Sequence, residues 1–473
     1  MGTITKQACI ALMVLLVPAV RAGQPTWITM QNENFRVYST ASERATRQLL
    51  DQFERVRGFF VQFSGIAPEK STPVNVVIFG TAKEYQPYRL NAFATAYYSN
   101  QFDRDFIVVG QPGEGSAGTA SHEYTHLVFA HAGFTLPPWL GEGMAELYAT
   151  LAPLGKDTVF GGILPGRLQA LNQDAWVPLA TILAADHDSP YYNETRQAGS
   201  LYNESWALVH MLATTDEYRS KFWDVVRAIN GGADSVKALE AAYGVPLASI
   251  ETALKSYVGR QTFNQLRVKI ALEGVETLAS QPADLLDVRE VQAELLMGLQ
   301  GRRDEARERL VELTRLDATR PAPWANLGYL AWREGRTSEA IDDFARAYEL
   351  GDRSPRLLYD FGGLAARSKP EVASAALTQL LAFQPDNVDA RLMLANLQMA
   401  QDRAAEAVET VRAVQFVRTA EQRDRLLYLR AVAALRLGDV KTARARAAEL
   451  EQATSSDEFR SRAADLLRML KPR

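Results

Sequence analysis

The chain has 473 residues, of which 47% are hydrophobic and 23% charged, so it has enough apolar side chains for packed cores and is too balanced for disorder. Its length predicts two or three domains. Lys and Arg total 52 against 56 for Asp and Glu, a net charge of −4, which argues against a nucleic-acid-binding protein and against binding to anionic membranes.

The first 22 residues have the pattern of a cleavable export signal. Lys6 precedes an apolar run over residues 8–20, and small residues up to Ala22 offer a cleavage site. A membrane anchor is the alternative, but this run falls short of the roughly 20 apolar residues that a spanning helix needs. Cys9, the only cysteine, lies inside the run, which disfavours a lipoprotein anchor. We expect a periplasmic or secreted protein without disulfides and without a membrane span after cleavage.

Short strand patterns and one helical pattern follow. A helix is predicted over 43–63, and strands are predicted at 35–38, 74–79, 93–98 and 105–109. From Thr119 to about residue 262 the pattern is helical, with breaks at glycines and prolines. The expected fold of residues 24–262 is therefore α+β, with a small mixed sheet followed by a helical lobe.

Residues 113–118, Gly-Glu-Gly-Ser-Ala-Gly, match the glycine fingerprint of dinucleotide-binding loops. They follow a predicted strand and precede a helix, as that fingerprint requires. The fingerprint also needs a second parallel strand that ends in an acid about 20 residues later. Gly133 and Pro137 interrupt the chain there instead, so we interpret the segment as a flexible loop.

The sequence His-Glu-Tyr-Thr-His at residues 122–126 is the sharpest chemical pattern in the chain. Residues four apart lie on one face of a helix, so His122 and His126 can bind one zinc ion, at about 2.0 to 2.1 Å each. Glu123 can take a proton from an attacking water. The alternative is two histidines that fall into register without a metal.

A catalytic zinc needs a third protein ligand and one open position. Pro137 and Pro138 precede a second predicted helix, on which Glu142 and Glu146 share a face. One carboxylate can bind the metal while the other accepts a hydrogen bond from a ligating imidazole. The alternative is an acidic helix face in contact with water.

These motifs resemble the gluzincin metallopeptidases. Residues 139–145, Trp-Leu-Gly-Glu-Gly-Met-Ala, are similar to a phrase shared by thermolysin-like enzymes, aminopeptidases and the Peptidase MA-like families. The resemblance implies a zincin-like catalytic domain that holds one zinc ion. It assigns His122, His126 and Glu142 to the metal, Glu123 to the general base, and Glu146 to a hydrogen bond with a ligand.

Two sequence features indicate which branch of the gluzincins the chain resembles. Fifteen residues separate His126 from Glu142, which is similar to the compact Peptidase MA-like branch. No Gly-x-Met-Glu-Asn phrase precedes the motif, and its absence favours an endopeptidase over an aminopeptidase. In such folds the edge strand before the motif helix pairs with extended substrate, and residues 91–98 are the candidate here.

A predicted helix over 202–212 carries a candidate donor for the oxyanion. Tyr202, Trp206 and His210 share a face, and related families have a tyrosine with this role on the helix after the third ligand. Core packing of Tyr202 is the alternative. The loop before this helix has three other candidates, which are His187, Tyr191 and Tyr192. His131, at the last turn of the motif helix, receives no catalytic role.

Beyond about residue 286 the sequence repeats with a period of 33 to 36 residues. Alanines recur at 306, 340, 373, 407 and 443, and small residues stand 11 or 12 positions before the last four of them, at Gly328, Gly362, Ala395 and Ala431. Such small residues let two antiparallel helices approach closely. A generic helical bundle is the alternative.

This period resembles the tetratricopeptide family. The second unit carries the resemblance most clearly, with Trp324, Leu327, Gly328, Ala340, Phe344 and Ala347 at the family's spacing. The first unit departs from it, because Glu294 stands where a small residue is expected. We predict five repeats over about 287–457 and a capping helix after them, in a domain of residues 287–473 that follows a linker helix region at 263–286.

The sequence therefore predicts an exported zinc-dependent endopeptidase that hydrolyses peptides or proteins. Its repeat domain would bind a substrate or a partner protein. The alternative is a helical-repeat scaffold whose zinc site is vestigial or structural. A structural site would need a fourth protein ligand, and the sequence offers none at a fixed spacing.

Overall fold

The computed structural model describes residues 25–64, 73–92, 94–101, 104–113, 115–190, 195–272 and 278–470, with the side chains of 195–198 left out. The predicted export signal lies outside these ranges, as do Phe93, Glu114, Tyr191 and Tyr192. None of the helices in the described ranges has both the length and the apolar character that a membrane crossing requires.

The described strands form two sheets. They are β1 (Ile28–Gln31), β2 (Phe35–Ser39), β3 (Val74–Ile78), β4 (Ala96–Gln101), β5 (Arg104–Val109), β6 (Ala152–Leu154), β7 (Asp157–Phe160), β8 (Leu266–Val268) and β9 (Gln281–Pro282). The larger sheet has the order β4-β5-β3-β2-β1-β9, with β2, β3 and β5 parallel and the outer strands antiparallel. The predicted small mixed sheet is thus confirmed, and β1 and β9 extend it.

Ten α-helices accompany these sheets in the described part of residues 25–272. They are α1 (Glu43–Phe59), α2 (Ala82–Tyr85), α3 (Ser116–His131), α4 (Pro138–Tyr148), α5 (Pro165–Gln173), α6 (Leu179–Ala184), α7 (Thr195–Thr214), α8 (Arg219–Asn230), α9 (Ser235–Tyr243) and α10 (Leu247–Gly259). Helix α1 begins where the Ser42 side chain accepts a hydrogen bond from the Ala45 amide, and α4 begins with Pro138 in its first turn.

The first face of the larger sheet lies against α1 and α3. The aromatic rings of Phe35, Phe53 and Tyr124 meet there, with centroids 5.3 to 5.7 Å apart. Tyr124 belongs to the motif helix α3, so its burial turns the opposite face of that helix outward. Core packing therefore determines which way the motif histidines point.

Helices α4 and α7 cross at very short range. A Cβ atom on Gly143 would lie only 2.6 Å from the Ser205 carbonyl oxygen and 2.6 Å from Val209 Cγ2. Only glycine permits this approach, and the neighbouring residue Glu142 is a candidate metal ligand. The close crossing thus helps to place that carboxylate.

Replacing Gly143 by alanine is expected to destabilise the protein by about 1 to 3 kcal/mol, because the added methyl group overlaps backbone and side-chain atoms of α7. The matched control is Gly141→Ala in the same helix, where the nearest atom, Leu136 Cβ, is 4.0 Å away. That change should be neutral or stabilise by up to about 1 kcal/mol. Urea denaturation of both variants checks the difference, and equal stability would contradict it.

The described C-terminal part consists of five helix pairs followed by one further helix. The pairs are α11 (Leu285–Gly298) with α12 (Arg303–Leu316), α13 (Pro321–Arg333) with α14 (Thr337–Glu349), α15 (Pro355–Leu364) with α16 (Pro370–Phe383), α17 (Val388–Ala400) with α18 (Ala404–Arg412), and α19 (Ala420–Arg436) with α20 (Val440–Ala453); the last helix is α21 (Asp457–Met469). The sequence period predicts this arrangement.

The small residues of the period lie where paired helices touch. A Cβ on Gly328 would be 2.6 Å from the Phe344 ring, and one on Gly362 would be 2.6 Å from Leu377 Cγ. In the first pair, Glu294 is only 2% exposed, accepts a hydrogen bond from Asn326 Nδ2 at 2.7 Å and pairs with Arg104 at 2.8 Å. Arg104 belongs to β5. Glu294, at which the first unit departs from the repeat pattern, therefore connects the repeats to the sheet.

The first repeat helices cover the second face of the sheet. Val77, Phe106 and Val108 share one buried core with Val291 and Leu296 of α11. The sheet therefore lies between two helical layers, and the repeats complete its core. The domain boundary predicted near residue 262 therefore divides two segments whose side chains share one core.

The interpretation of residues 263–286 as a linker helix region is wrong for its described residues. They form β8 and β9, and the first helix described after α10 begins only at Leu285. Apolar side chains alternate at Leu266, Val268 and Ile270, which is the period of a strand. Strand β9 pairs with β1 and so closes the larger sheet at the edge opposite β4.

A buried acid in α7 gives a pH-dependent prediction. Glu204 is 2% exposed and accepts a hydrogen bond from the Val177 amide at 2.8 Å, and burial raises the pKa of Glu204 from 4.5 to about 7. Between these two values the folded chain binds more protons than the unfolded chain. The contribution of Glu204 to the free energy of unfolding is therefore fully present below about pH 4.5. It is lost as the pH rises to about 7, by up to about 3 kcal/mol.

Glu204→Gln is expected to remove this decline. Urea denaturation gives the free energy of unfolding of the variant and of wild type. The variant's value minus the wild-type value should be about 2 to 3 kcal/mol larger at pH 8 than at pH 5. The exposed control Glu421→Gln should show no such difference between the two pH values. A wild-type curve that is flat from pH 5 to pH 8 would contradict the prediction.

Candidate metal centre

The motif helix α3 brings its two histidines to one side of a cleft. Tyr124, Leu127 and Val128 are buried in the core, whereas His122 and His126 are partly exposed on the opposite face. Gln52 of α1 donates a hydrogen bond to Ser121 Oγ at 3.0 Å, which fixes the helix one residue before the motif. The local sequence and the core together place both imidazoles.

Three donor atoms form a small triangle. The Nε2 atoms of His122 and His126 are 3.2 Å apart, and Glu142 Oε2 lies 3.2 Å from the first and 3.5 Å from the second. A tetrahedral zinc ion with bonds of 2.0 to 2.1 Å separates its ligands by about 3.3 to 3.4 Å. The triangle therefore has the size of one face of a zinc tetrahedron. Within the described ranges, no other group of three such side chains brings its donor atoms together.

The carboxylate of Glu142 and the imidazole of His122 shift each other's pKa. Burial alone would raise the pKa of Glu142, but hydrogen bonds and positive charge from His122 and His126 lower it well below its usual range. Burial acts to lower the pKa of His122, yet the carboxylates of Glu142 and its neighbours raise it overall. Glu142 is thus kept as an anion, as a metal ligand requires.

A second layer of charge supports His122. Glu146 Oε1 lies 3.5 Å from His122 Nδ1, and Arg167 donates to both Glu146 oxygens at 2.6 and 3.3 Å. Arg167 also donates to Asn203 Oδ1 at 3.3 Å. The sequence analysis missed Arg167, because it belongs to α5 and no spacing relates it to the motif helix.

Removing the carboxylate of Glu142 is expected to lower zinc affinity more than any neighbouring change. Glu142→Ala should weaken binding by more than about 100-fold, since even the neighbours of metal ligands change affinity by 10- to 100-fold. The control Glu146→Gln should stay within that smaller range. Competition with a zinc indicator measures both, and unchanged affinity in Glu142→Ala would refute its assignment as a ligand.

Glu123 lies beside the triangle and contacts the sheet. Its Oε2 accepts a hydrogen bond from the backbone amide of Tyr98 at 3.0 Å, and burial raises the pKa of Glu123 despite the nearby histidines. A carboxylate that belongs to the motif helix but not to the donor triangle remains available for proton transfer.

Strand β4 is the edge strand of the larger sheet and forms one wall of the cleft. The Gly110 amide donates to the Thr95 carbonyl at 2.8 Å, so alternate residues from Thr95 onward bond to β5. The backbone groups of Ala96 and Tyr98 point the other way, toward the cleft. The strand predicted at 93–98 begins at Ala96 and continues to Gln101, with Phe93 outside the described residues.

The cleft has a volume of about 1150 Å³ and contains the whole donor set. Tyr202 and His187 line it, and the Tyr202 ring lies 5.2 Å from the Arg167 guanidinium. Trp206 and His210 are fully buried, and His210 is hydrogen-bonded to Gly161 O at 2.9 Å and to the Tyr257 hydroxyl at 2.8 Å. The helix therefore sends Tyr202 alone of these three to the cleft.

Comparison with protein families matches two segments, 299–355 and 364–419, both to models described as tetratricopeptide repeat. The predicted tetratricopeptide repeats are thus confirmed in the C-terminal part of the chain. Neither matched segment includes the donor triangle, so the metal centre rests on sequence pattern and geometry. Comparison with curated proteins finds no match.

Solved structures of repeat proteins are similar to part of the chain. YrrB, described as a TPR protein with an unusual peptide-binding site, is 17% identical over 37% of this chain and 90% of its own, with a TM-score of 0.33. PilF of Pseudomonas aeruginosa is 18% identical over 38% and 82%, with a TM-score of 0.29. MamA of Desulfovibrio magneticus RS-1 is 18% identical over 37% and 99%, with a TM-score of 0.29.

Proposed function

We propose that the chain is an exported zinc-dependent peptidase, acting as an endopeptidase, whose repeats bind a substrate or partner protein. One observation carries this proposal: three donor atoms 3.2 to 3.5 Å apart stand beside Glu123, a carboxylate outside their triangle. The pattern of residues 1–22 supports export.

The donor set fits zinc. Two imidazoles and one carboxylate are the ligands of several zinc hydrolases, and three protein ligands leave a position open for water or substrate. When bound, zinc supplies Lewis acidity that lowers the pKa of water and polarises a peptide carbonyl. His122, His126 and Glu142 would hold it, and Glu146 with Arg167 would orient His122.

The other side chains account for proton transfer and substrate binding. Glu123, oriented by the Tyr98 amide, takes the proton of the attacking water and passes it to the leaving amine. An extended peptide pairs with the outward backbone groups of Ala96 and with the carbonyl of Tyr98 on β4, since the Tyr98 amide is bonded to Glu123. The hydroxyl of Tyr202, which lines the same cleft, donates to the developing oxyanion.

The tetratricopeptide matches favour a second candidate, an interaction scaffold without catalysis. A helical-repeat solenoid offers an extended surface for a partner, and its metal site could then be vestigial or structural. A structural zinc site is closed by a fourth protein ligand, whereas the described donor cluster has three members. This difference supports an open, catalytic site at the donor triangle, whereas the family matches support the scaffold for the C-terminal part of the chain.

Digestion of an unfolded protein separates the two candidates. The full chain loaded with zinc is expected to cut such a substrate, to stop when a chelator removes the metal, and to recover when zinc is returned. Binding of one zinc ion per chain without any cleavage would contradict the peptidase and support the scaffold.

A further inference from the structure

A hydrogen-bonded cluster lies at the far end of the motif helix, away from the donor triangle. His131 Nε2, in the last turn of α3, lies 2.6 Å from Asp105 Oδ2 on β5. Asp105 is only 7% exposed, so its carboxylate depends on these protein partners for its hydrogen bonds. The pair therefore ties the end of the motif helix to the sheet.

The other oxygen of the same carboxylate holds the edge strand. Asp105 Oδ1 accepts hydrogen bonds from the Tyr98 hydroxyl at 2.7 Å and from Asn100 Nδ2 at 2.9 Å. Tyr98 and Asn100 are two residues apart on β4 and so share a face, and Asn100 pairs directly with Asp105 in the strand register. One buried carboxylate thus joins β4, β5 and α3.

The electrostatics support an ionised Asp105. Burial would raise its pKa, but hydrogen bonds from His131, Tyr98 and Asn100 lower it overall. Hydrogen bonds to a charged acceptor are shorter and stronger than those between neutral groups. The cluster therefore holds β4 firmly, and among the described strands none lies on the outer side of β4.

Tyr98 links this fastening to the candidate metal centre. Its hydroxyl is held by Asp105, while its backbone amide donates to Glu123 at 3.0 Å. A shift of Tyr98 would therefore move both the partner of the general base and the backbone groups that face the cleft.

We propose that Asp105 and His131 are positioning residues, which fix the register and position of β4 so that it can pair with an extended peptide. This inference rests on the proposed peptidase function. His131, which the sequence analysis left without a role, acts through Asp105 and Tyr98, and touches neither the donor triangle nor the substrate.

Amide hydrogen exchange on the full-length chain tests the fastening without any need for catalysis. In His131→Ala the amides of Tyr97 and Ser99, which face β5, are expected to exchange at least about 10-fold faster, while those of the motif helix from 120 to 126 keep their protection. His131→Gln keeps an N–H donor at the end of its side chain and should restore slow exchange to within about threefold. Unchanged exchange in His131→Ala and in Asp105→Asn would overturn the proposal.

Kinetics of the zinc-loaded variants tests the consequence for substrate. A peptide long enough to span β4 should show a KM raised by about 10-fold in His131→Ala with kcat lowered by less than about threefold, and a dipeptide amide should keep its KM. A fall in kcat at unchanged KM would overturn the positioning role. If wild type cleaves no peptide, the peptidase function fails, while the exchange result still decides whether the pair fixes the strand.

Discussion

The Glu123→Gln variant is expected to bind zinc as wild type does and to lose at least about 1000-fold of kcat. General acid–base catalysis by a positioned carboxylate contributes about 100- to 10,000-fold, and no other described carboxylate has this place beside the triangle. The substitution keeps the shape of the side chain, and its amide oxygen can still accept the hydrogen bond from Tyr98. Zinc content and peptide hydrolysis are measured on the same preparation.

Two further measurements distinguish a loss of catalysis from a loss of structure. Equal zinc content and equal melting temperature in the two proteins would show that the loss is chemical. Activity within about tenfold of wild type would contradict the assignment of Glu123 as the general base.

A fragment that ends at residue 262 is expected to be insoluble or unfolded, although it contains every candidate metal ligand. It lacks β8, β9 and the helices that cover the second face of the sheet. Tyr38, Val77, Phe79, Phe106 and Val108 would lose the repeat helices that share their core, at up to about 1.5 to 3 kcal/mol for each side chain. The total of roughly 8 to 15 kcal/mol equals the whole stability of a typical domain.

The matched control is a chain that ends at residue 419. It loses α19 to α21, whose apolar residues belong to smaller clusters apart from the core that includes the sheet. Circular dichroism, light scattering and zinc binding compare the two truncations. A soluble, folded fragment that ends at 262 and binds zinc with full affinity would show that the repeats are an independent domain.

Local spacing explains why the sequence predicts that His122, His126 and Glu142 come together. The positions of His122 and His126 relative to each other follow from helical periodicity alone, and Glu142 lies on the next helix after a short proline-led turn. The repeats are predictable for a similar reason, because Gly328 and Gly362 recur at a fixed period and fill fixed contacts. In both cases the signal lies within a few turns of one helix or one helix pair.

Contacts between distant segments leave no such signal. Arg167 meets Glu146 across 21 residues, and the Tyr98 amide meets Glu123 across 25. A backbone amide has no sequence signature, and a single arginine on a surface helix has many possible partners. Asp105 and His131 belong to the same class, since only the folded sheet brings them within 2.6 Å.

The burial of the sheet on both faces can be predicted from the sequence only in part. Strand β3 is a nearly continuous apolar run in which all five residues are buried, a pattern typical of strands covered on both faces. That pattern predicts a second layer but does not say which helices supply it. The linker interpretation failed partly because the two-residue strand β9 is too short to give a pattern, whereas the alternation at Leu266, Val268 and Ile270 is a strand signal that it overlooked.

Cleavage of a peptide library by the full chain loaded with one zinc ion, set beside Glu123→Gln at equal zinc content, tests the central claim most directly. We predict that wild type cuts within peptides at a definable sequence preference and that the variant leaves the library intact. An uncut library in both samples, or equal cleavage by both, would contradict a metallopeptidase built on His122, His126, Glu142 and Glu123.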